Sequence, residues 1–415
     1  MTHPNADDQV LPVYHLRPAR GWVNDPNGMT YHDGRWHVFF QHHSGGPFHH
    51  LIEWGHASSA DLIHWREHPI AFGPTPEGPD RFGCWTGVFV PGLQRPAVAY
   101  SGVVDESLQT TTLLRWGSDD LDRWSEPEIV ARTPTTDGVR IMRDPFVFVW
   151  GGRRWALTGA GLESGAPALL IYGADDPLSW TYAGLFYTGP EPAADDRYAA
   201  DIWECPQLLL TEDAAVLVVS LQLDGVLGDV LSIVGQVVDD AGVPRFVAVW
   251  PDAARLLDLG DSYYAPQLVA NPQGPGALMI GWVRQAGLPQ ETHKVAGCLS
   301  LPRRLALRDG GVVVQSDEAL ASLQLGDYVD ATGDGSFPEH CLVETSAATV
   351  ELAGSLDNEI RTVVVHPGDR AWIDAGVVEV YPETGMPRTL RADPGTWRIS
   401  SGRAHIRPVL TISMS

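Results

Sequence analysis

Three short corners of the chain set a carboxylate beside residues that could put it to work: Asn24-Asp25-Pro26-Asn27-Gly28, Arg143-Asp144-Pro145 and Glu204-Cys205-Pro206. The first holds an Asp between an Asn and a Pro. Each of these is a turn former for its own reason, so the motif read alone is equally a turn. In the second, Arg143 and Asp144 lead into the apolar run Phe146-Val-Phe-Val-Trp150, a composition that equally suits a buried structural ion pair. In the third, Trp203 and Cys205 flank a Glu just ahead of a run of leucines. Apolar neighbours desolvate a carboxyl and favour the protonated form that a general acid needs near neutral pH. One carboxylate kept ionised and one kept protonated form the pair that glycoside cleavage requires.

Residues this far apart in sequence meet only if a repeated architecture brings them to one place. Three segments share a pattern of aromatic-Gly, a small polar stretch and then Asp-x-x-x-Trp: Trp54 to Trp65, Trp116 to Trp124 and Tyr172 to Trp180. Their final tryptophans stand 59 and 56 positions apart, with short apolar or alternating runs between them. A period that holds about four strands is the sequence signature of a β-propeller blade, a β-sandwich being the alternative. At nearly 60 residues per blade, residues 13–308 hold roughly five. Trp65, Trp124 and Trp180 then fall at equivalent core positions. The spacing of leucines in Asp317 to Leu325 predicts a short linking helix, and the runs beyond it predict a small second all-β domain. The expected division is a catalytic propeller over 1–316, a linker over 317–326 and a short β-sandwich over 327–415.

Composition agrees with an all-β fold and narrows the partners. The 415 residues include 43 glycines and 32 prolines, turn chemistry in excess of a helical protein's needs. With 28 Lys+Arg against 52 Asp+Glu the formal charge is −24, which argues against nucleic acid or an anionic membrane as partner. Four scattered cysteines (Cys84, Cys205, Cys298, Cys341) form no C-x-x-C pair and fit a reduced chain. The start, Met1 to Asp8, shows no secretion signal, so a cytoplasmic location is expected. His42, His43, His49, His50 and His56 crowd one region without a metal-ligand spacing, and no metal or cofactor is expected. Cys205, with no partnered His nearby, reads as packing beside the acid rather than as a nucleophile.

Taken together the three corners resemble the Asn-Asp-Pro-Asn-Gly, Arg-Asp-Pro and Glu-Cys-Pro motifs of glycoside hydrolase family 32, the β-fructofuranosidases. The likeness continues in order through Phe39-Phe-Gln41, Trp54-Gly-His56, Trp85-Thr86-Gly87, Tyr264-Ala-Pro-Gln267, Gly281-Trp282 and Leu301-Pro-Arg-Arg-Leu305. The resemblance implies a five-bladed β-propeller followed by a β-sandwich. It implies Asp25 as the nucleophile, Glu204 as the acid that then activates water, and Asp144, beside Arg143, as the holder of fructose hydroxyls. The retaining scheme asks for reacting carboxyls roughly 5 to 5.5 Å apart. Asn24, Gln41, Trp54, Trp85, Thr86, Tyr264 and Trp282 match positions that line the family's sugar pocket.

Four departures bear on specificity. A Trp common in the family's pocket is His49 here, the usual Phe-Ser is Trp85-Thr86, Gln207 replaces an Asp that often follows the acid motif, and the second domain is short. The implied activity is removal of terminal non-reducing β-D-fructofuranosyl units from sucrose, sucrose phosphate or short fructo-oligosaccharides. Arg35, Arg81 and Arg284 are the basic residues considered for a phosphate. A fructosyltransferase with the same triad, an inactive fructoside-binding or sensing protein, and an arabinofuranosidase on a similar scaffold are the alternatives.

Overall fold

The computed structural model describes residues 9–192, 198–248, 252–270, 276–285, 293–332 and 338–410. The reading of Met1 to Asp8 lies outside them. The described chain is all-β, and none of its helices is long and apolar enough to cross a membrane.

Five antiparallel sheets follow one another along the chain. Their first strands are Gly21–His32, Gly83–Phe89, Val139–Trp150, Ile202–Leu210 and Tyr263–Ala270, and each sheet is then built outward by hairpins. Several of these hairpins turn on two residues in the left-handed region, such as Asp33-Gly34 (φ 46° and 75°) and Asp309-Gly310 (φ 51° and 75°). That geometry matches the twist of the flanking strands and explains why Asp-Gly recurs. A two-residue strand from late in the chain, Val295–Ala296, pairs in parallel with Gly21 and Trp22 of the first sheet.

The first strands touch in sequence order, and the fifth touches the first. Side chains bond across each boundary. Asn27 accepts from the Gly87 N–H, Ser101 from Asp144, Gln207 from Leu268, Ser220 from Ala265 and Gln267 from Met29. The Cys205 N–H donates to the Asp144 carboxylate, which joins the third sheet to the fourth. Buried backbone groups that strand pairing leaves open are thus satisfied by a circuit of short polar side chains. Between the sheets lie apolar layers. Trp65 and Trp180 are buried there as anticipated, and Trp124 packs with Phe72, Leu121 and Tyr100.

The linking helix expected over 317–325 is a single 3-10 turn, Glu318–Ser322, capped by the Asp317 carboxylate on the Ala319 N–H. Its leucine spacing reflects packing of Leu320 and Leu323 onto Tyr14, Trp372 and Tyr381 rather than a helical face. Beyond it, a six-stranded and a three-stranded sheet enclose a separate apolar core around Val343, Leu352, Ile373 and Ile399. Buried charges dock these sheets on the rest. Arg303 pairs with Asp258 at 2.7 Å and Glu379 at 2.6 Å, while His15 bridges Asp374 at 2.8 Å and Glu379 at 3.0 Å.

Candidate active site

All five first strands carry the same irregularity at the same level. Pairing slips between Val23 and Pro26, Cys84 and Gly87, Glu204 and Gln207, and Tyr264 and Gln267, and the third strand slips where Thr158 and Gly159 face Pro145 and Arg143. Within these slips Asp144, Cys205 and Ala265 take positive φ (57°, 48° and 46°). A bulge breaks the in-out alternation of a strand and re-aims a side chain. Here that converts Asn24-Asp25, Trp85-Thr86, Arg143-Asp144, Glu204 and Tyr264 into one wall around a cavity of about 420 Å³.

Asp25, Asp144 and Glu204 converge in that cavity, each less than a tenth exposed. Asp25 is held by Asn24 on Oδ1 (3.2 Å) and by Gln41 (2.8 Å) and Thr86 (2.5 Å) on Oδ2. Burial, with help from the Glu204 charge and against the Thr86 hydrogen bond, pushes Asp25 up to about 6. The Cys205 thiol stands between the two aspartates, 3.6 Å from Asp25 and 3.5 Å from Asp144. Asp144 is also pushed up, by burial first and by Glu204 next, with Arg143 opposing. Burial pushes the Cys205 thiol up as well, so it stays a neutral donor to the two aspartates rather than packing beside Glu204 as the sequence suggested.

Glu204 lies in different surroundings from those its neighbours suggested. Trp203 turns into the apolar layer and Cys205 toward the aspartates. The carboxyl instead meets three donors: Arg143 (3.0 Å) and Gln222 (3.0 Å) on Oε1, and the Tyr264 hydroxyl (2.7 Å) on Oε2. Alternation along the strand turns Trp203 away from Glu204, and the slip after Glu204 brings Cys205 round to the same side as the carboxyl.

His49, Trp85, Arg143, Tyr264 and Trp282 all line the cavity. His49 stands edge-on to Trp22 and Trp85, with ring centroids 6.3 and 5.9 Å away, and Arg143 lies 5.4 Å over the Trp85 ring. Gln41 Oε1 and Trp282 Nε1 are buried without a partner among the described residues. Trp54 does not reach the cavity. It sits on an inner-sheet strand opposite Gln41, wholly buried against Phe39, Phe72 and Tyr100, and its indole N–H donates to the Trp85 carbonyl at 3.1 Å. It backs the wall instead of forming it. Gln207 likewise faces away: its amide bonds Pro206 and Leu268, so the exchanged charge is not at Glu204.

Sequence reasoning did not single out Trp22, Gln222, Gly225 or Leu227, which also line the cavity. Trp22 alternates with Asn24 on the first strand and was open to that reading. Gln222 belongs to a neighbouring strand, and only the pairing of Ile202 with Gln222 places it there. Arg284 stacks over Tyr264 at 5.6 Å but bonds the Leu227 and Asp261 carbonyls, and Arg35 bonds Ser58. Neither these nor the exposed Arg81 line the cavity, whose cation among the described residues is Arg143. In the histidine-rich region His56 and His68 stack with centroids 4.3 Å apart and an interplanar angle of 17°, beside Asp122. Their in-plane lone pairs therefore run side by side instead of meeting at a point.

Comparison with known proteins agrees with this arrangement. Residues 15–317 match the model of the glycosyl hydrolases family 32 N-terminal domain. The chain is 30% identical to the raffinose invertase of Escherichia coli over 75% of this chain and 66% of that protein. It is 29% identical to a sucrose-6-phosphate hydrolase of the same organism over 78% and 68%. It thus spans about two thirds of the length of these curated relatives. A GH32 beta-fructofuranosidase of Bombyx mori superposes with a TM-score of 0.79 at 21% identity, covering 97% of this chain and 94% of that one. Motifs, cavity and family match converge, and the chain belongs to glycosyl hydrolase family 32.

Proposed function

We propose that this chain is a retaining β-fructofuranosidase that removes terminal fructosyl units from sucrose and short fructo-oligosaccharides. The observation that carries the reading is the convergence of three buried carboxyls, Asp25, Asp144 and Glu204, in one cavity. On this reading the five sheets are the blades of a propeller over 1–316, linked through 317–326 to a β-sandwich over 327–415. The circuit of contacts from first strand to first strand supports that description.

Asp25, fixed by Asn24, Gln41 and Thr86, attacks the anomeric carbon of fructose while Glu204 gives a proton to the departing oxygen. The covalent fructosyl ester is then opened by a water whose proton returns to Glu204. Asp144 has no protein donor on Oδ1 among the described residues, which suits it to bind fructose hydroxyls. Asn24, Gln41, His49, Trp85, Thr86, Arg143, Tyr264 and Trp282 shape the sugar site. Among the described residues the one lining cation, Arg143, is bonded to Glu204, which favours a neutral sugar over a phosphorylated one.

The test is a time course with sucrose followed by NMR. Equal glucose and fructose, with β-fructofuranose seen before mutarotation, is the expected result. Glucose in excess of fructose would favour transfer to sugar acceptors, and saturable binding without turnover would favour a sensing protein.

A further inference from the structure

The donors around Glu204 are divided unequally between its two oxygens. Oε1 receives the Arg143 guanidinium and the Gln222 amide, each at 3.0 Å. Oε2 receives only the Tyr264 hydroxyl among the described residues, at 2.7 Å, and that hydroxyl also lies 2.9 Å from the Leu221 carbonyl. A proton on Oε1 would set an O–H against two N–H donors, neither of which can accept. A proton on Oε2 meets no such conflict. The phenol has one hydrogen and can donate it either to Oε2 or to the Leu221 carbonyl, leaving a lone pair toward Oε2 in the second case. Both charge states of Glu204 are thus satisfied at Oε2, and only the ionised one at Oε1.

We infer that Gln222 is a positioning residue that, with Arg143, holds Oε1 as a permanent acceptor and so assigns the working proton of Glu204 to Oε2. In the first step the Asp25 carboxylate bonds the anomeric carbon, the bond from that carbon to the leaving oxygen breaks, the Oε2–H bond breaks as that oxygen takes the proton, and the Tyr264 hydroxyl turns from Leu221 to Oε2. In the second step water gives a proton to Oε2, its oxygen bonds the anomeric carbon, the ester to Asp25 breaks, and the hydroxyl turns back. Gln222 exchanges no proton and belongs to none of the motifs that carry the family likeness. This assignment rests on the fructosidase reading above.

The test compares wild type with Gln222→Met and Gln222→Glu on sucrose and on p-nitrophenyl β-D-fructofuranoside, whose leaving group needs no proton. kcat/KM is the readout because it reports the first step. Losing a hydrogen bond to a charged group should lower kcat/KM for sucrose about 10- to 100-fold in Gln222→Met. The aryl fructoside should stay within roughly threefold of wild type, since protonation contributes little to its cleavage. Gln222→Glu should regain sucrose activity relative to wild type at the same pH as the medium is acidified, because a protonated carboxyl can donate to Oε1 as the amide does. It also keeps the assignment testable if Gln222→Met does not fold. Equal losses on both substrates, or no loss on sucrose, would overturn the role of Gln222 and leave the fructosidase reading standing on wild-type turnover. Wild type that cleaves neither substrate would remove that reading, and this assignment with it.

Discussion

Burial carries Asp25 up to about 6 against the pull of its own hydrogen bonds, and on the proposed mechanism Asp25 must be ionised to attack. The acid limb of kcat/KM should therefore fall near pH 6, with activity lost below it. Thr86→Val removes the donor that most opposes the rise and should move that limb upward by about one unit, the worth of a hydrogen bond of about 1.4 kcal/mol. A pH–rate profile of both proteins checks this. Trp54 gives the contrasting case of a motif residue whose place in the structure is behind the cavity. Trp54→Phe should cost roughly 1–3 kcal/mol in denaturant unfolding, from lost packing and an unpaired Trp85 carbonyl, and leave KM within about twofold. Trp85→Ala should do the reverse and raise KM about tenfold or more.

At the scale of the strand, the repeated bulge is the device that makes a site from five separate sheets. Without the slip, regular alternation would send either Asp25 or Asn24 away from the cavity. The Asp-Pro, Cys-Pro and Ala-Pro pairs mark four of the five slips, because a proline has no N–H to pair across the ladder. The slip also frees backbone N–H groups that need acceptors from the next sheet. Ser101 is such an acceptor for Asp144 at 2.7 Å. Ser101→Ala should leave that buried N–H unsatisfied, cost about 1–3 kcal/mol and raise KM by loosening Asp144. Thermal melting and steady-state kinetics on one preparation measure both effects. The three corners were visible from residue types, but Asn24 to Gly28 runs inside the strand Gly21–His32 and is no turn, and Arg143 pairs with Glu204 and not with its neighbour Asp144, because the bulges depend on partners in neighbouring strands that no single segment contains.

Across the whole molecule, the buried charges between the first five sheets and the last two make stability depend on pH. Burial alone would hold His15 down, but hydrogen bonds with Asp374 and Glu379 outweigh it and raise His15 from 6.5 to about 9. A raised folded value means that its contribution is complete below about 6.5 and is lost as pH rises through about 9. Glu379 is also opposed by burial, yet Arg303 and His15 lower it from 4.5 to about 2. Its contribution is complete above about 4.5 and is lost as pH falls through about 2. These two groups by themselves set a plateau of melting temperature between about pH 4.5 and 6.5, and the raised Asp25 and Asp144, whose contributions fade as pH rises above about 4, tilt its maximum toward the acid end. His15→Gln should lower the peak and flatten the alkaline decline, which scanning calorimetry across pH 4 to 9 would reveal. The sequence by itself determined the all-β class, the near-60-residue period and the three carboxylate corners, because turn formers, strand patterning and rare motifs are local properties. Only the tertiary structure decided that Trp54 backs the wall, that Gln207 stitches sheets, that Gln222 reaches Glu204 and that the leucines after Asp317 form a 3-10 turn. Each of those outcomes is set by where a side chain points once two sheets have met, and strand register is fixed by packing rather than by neighbours along the chain.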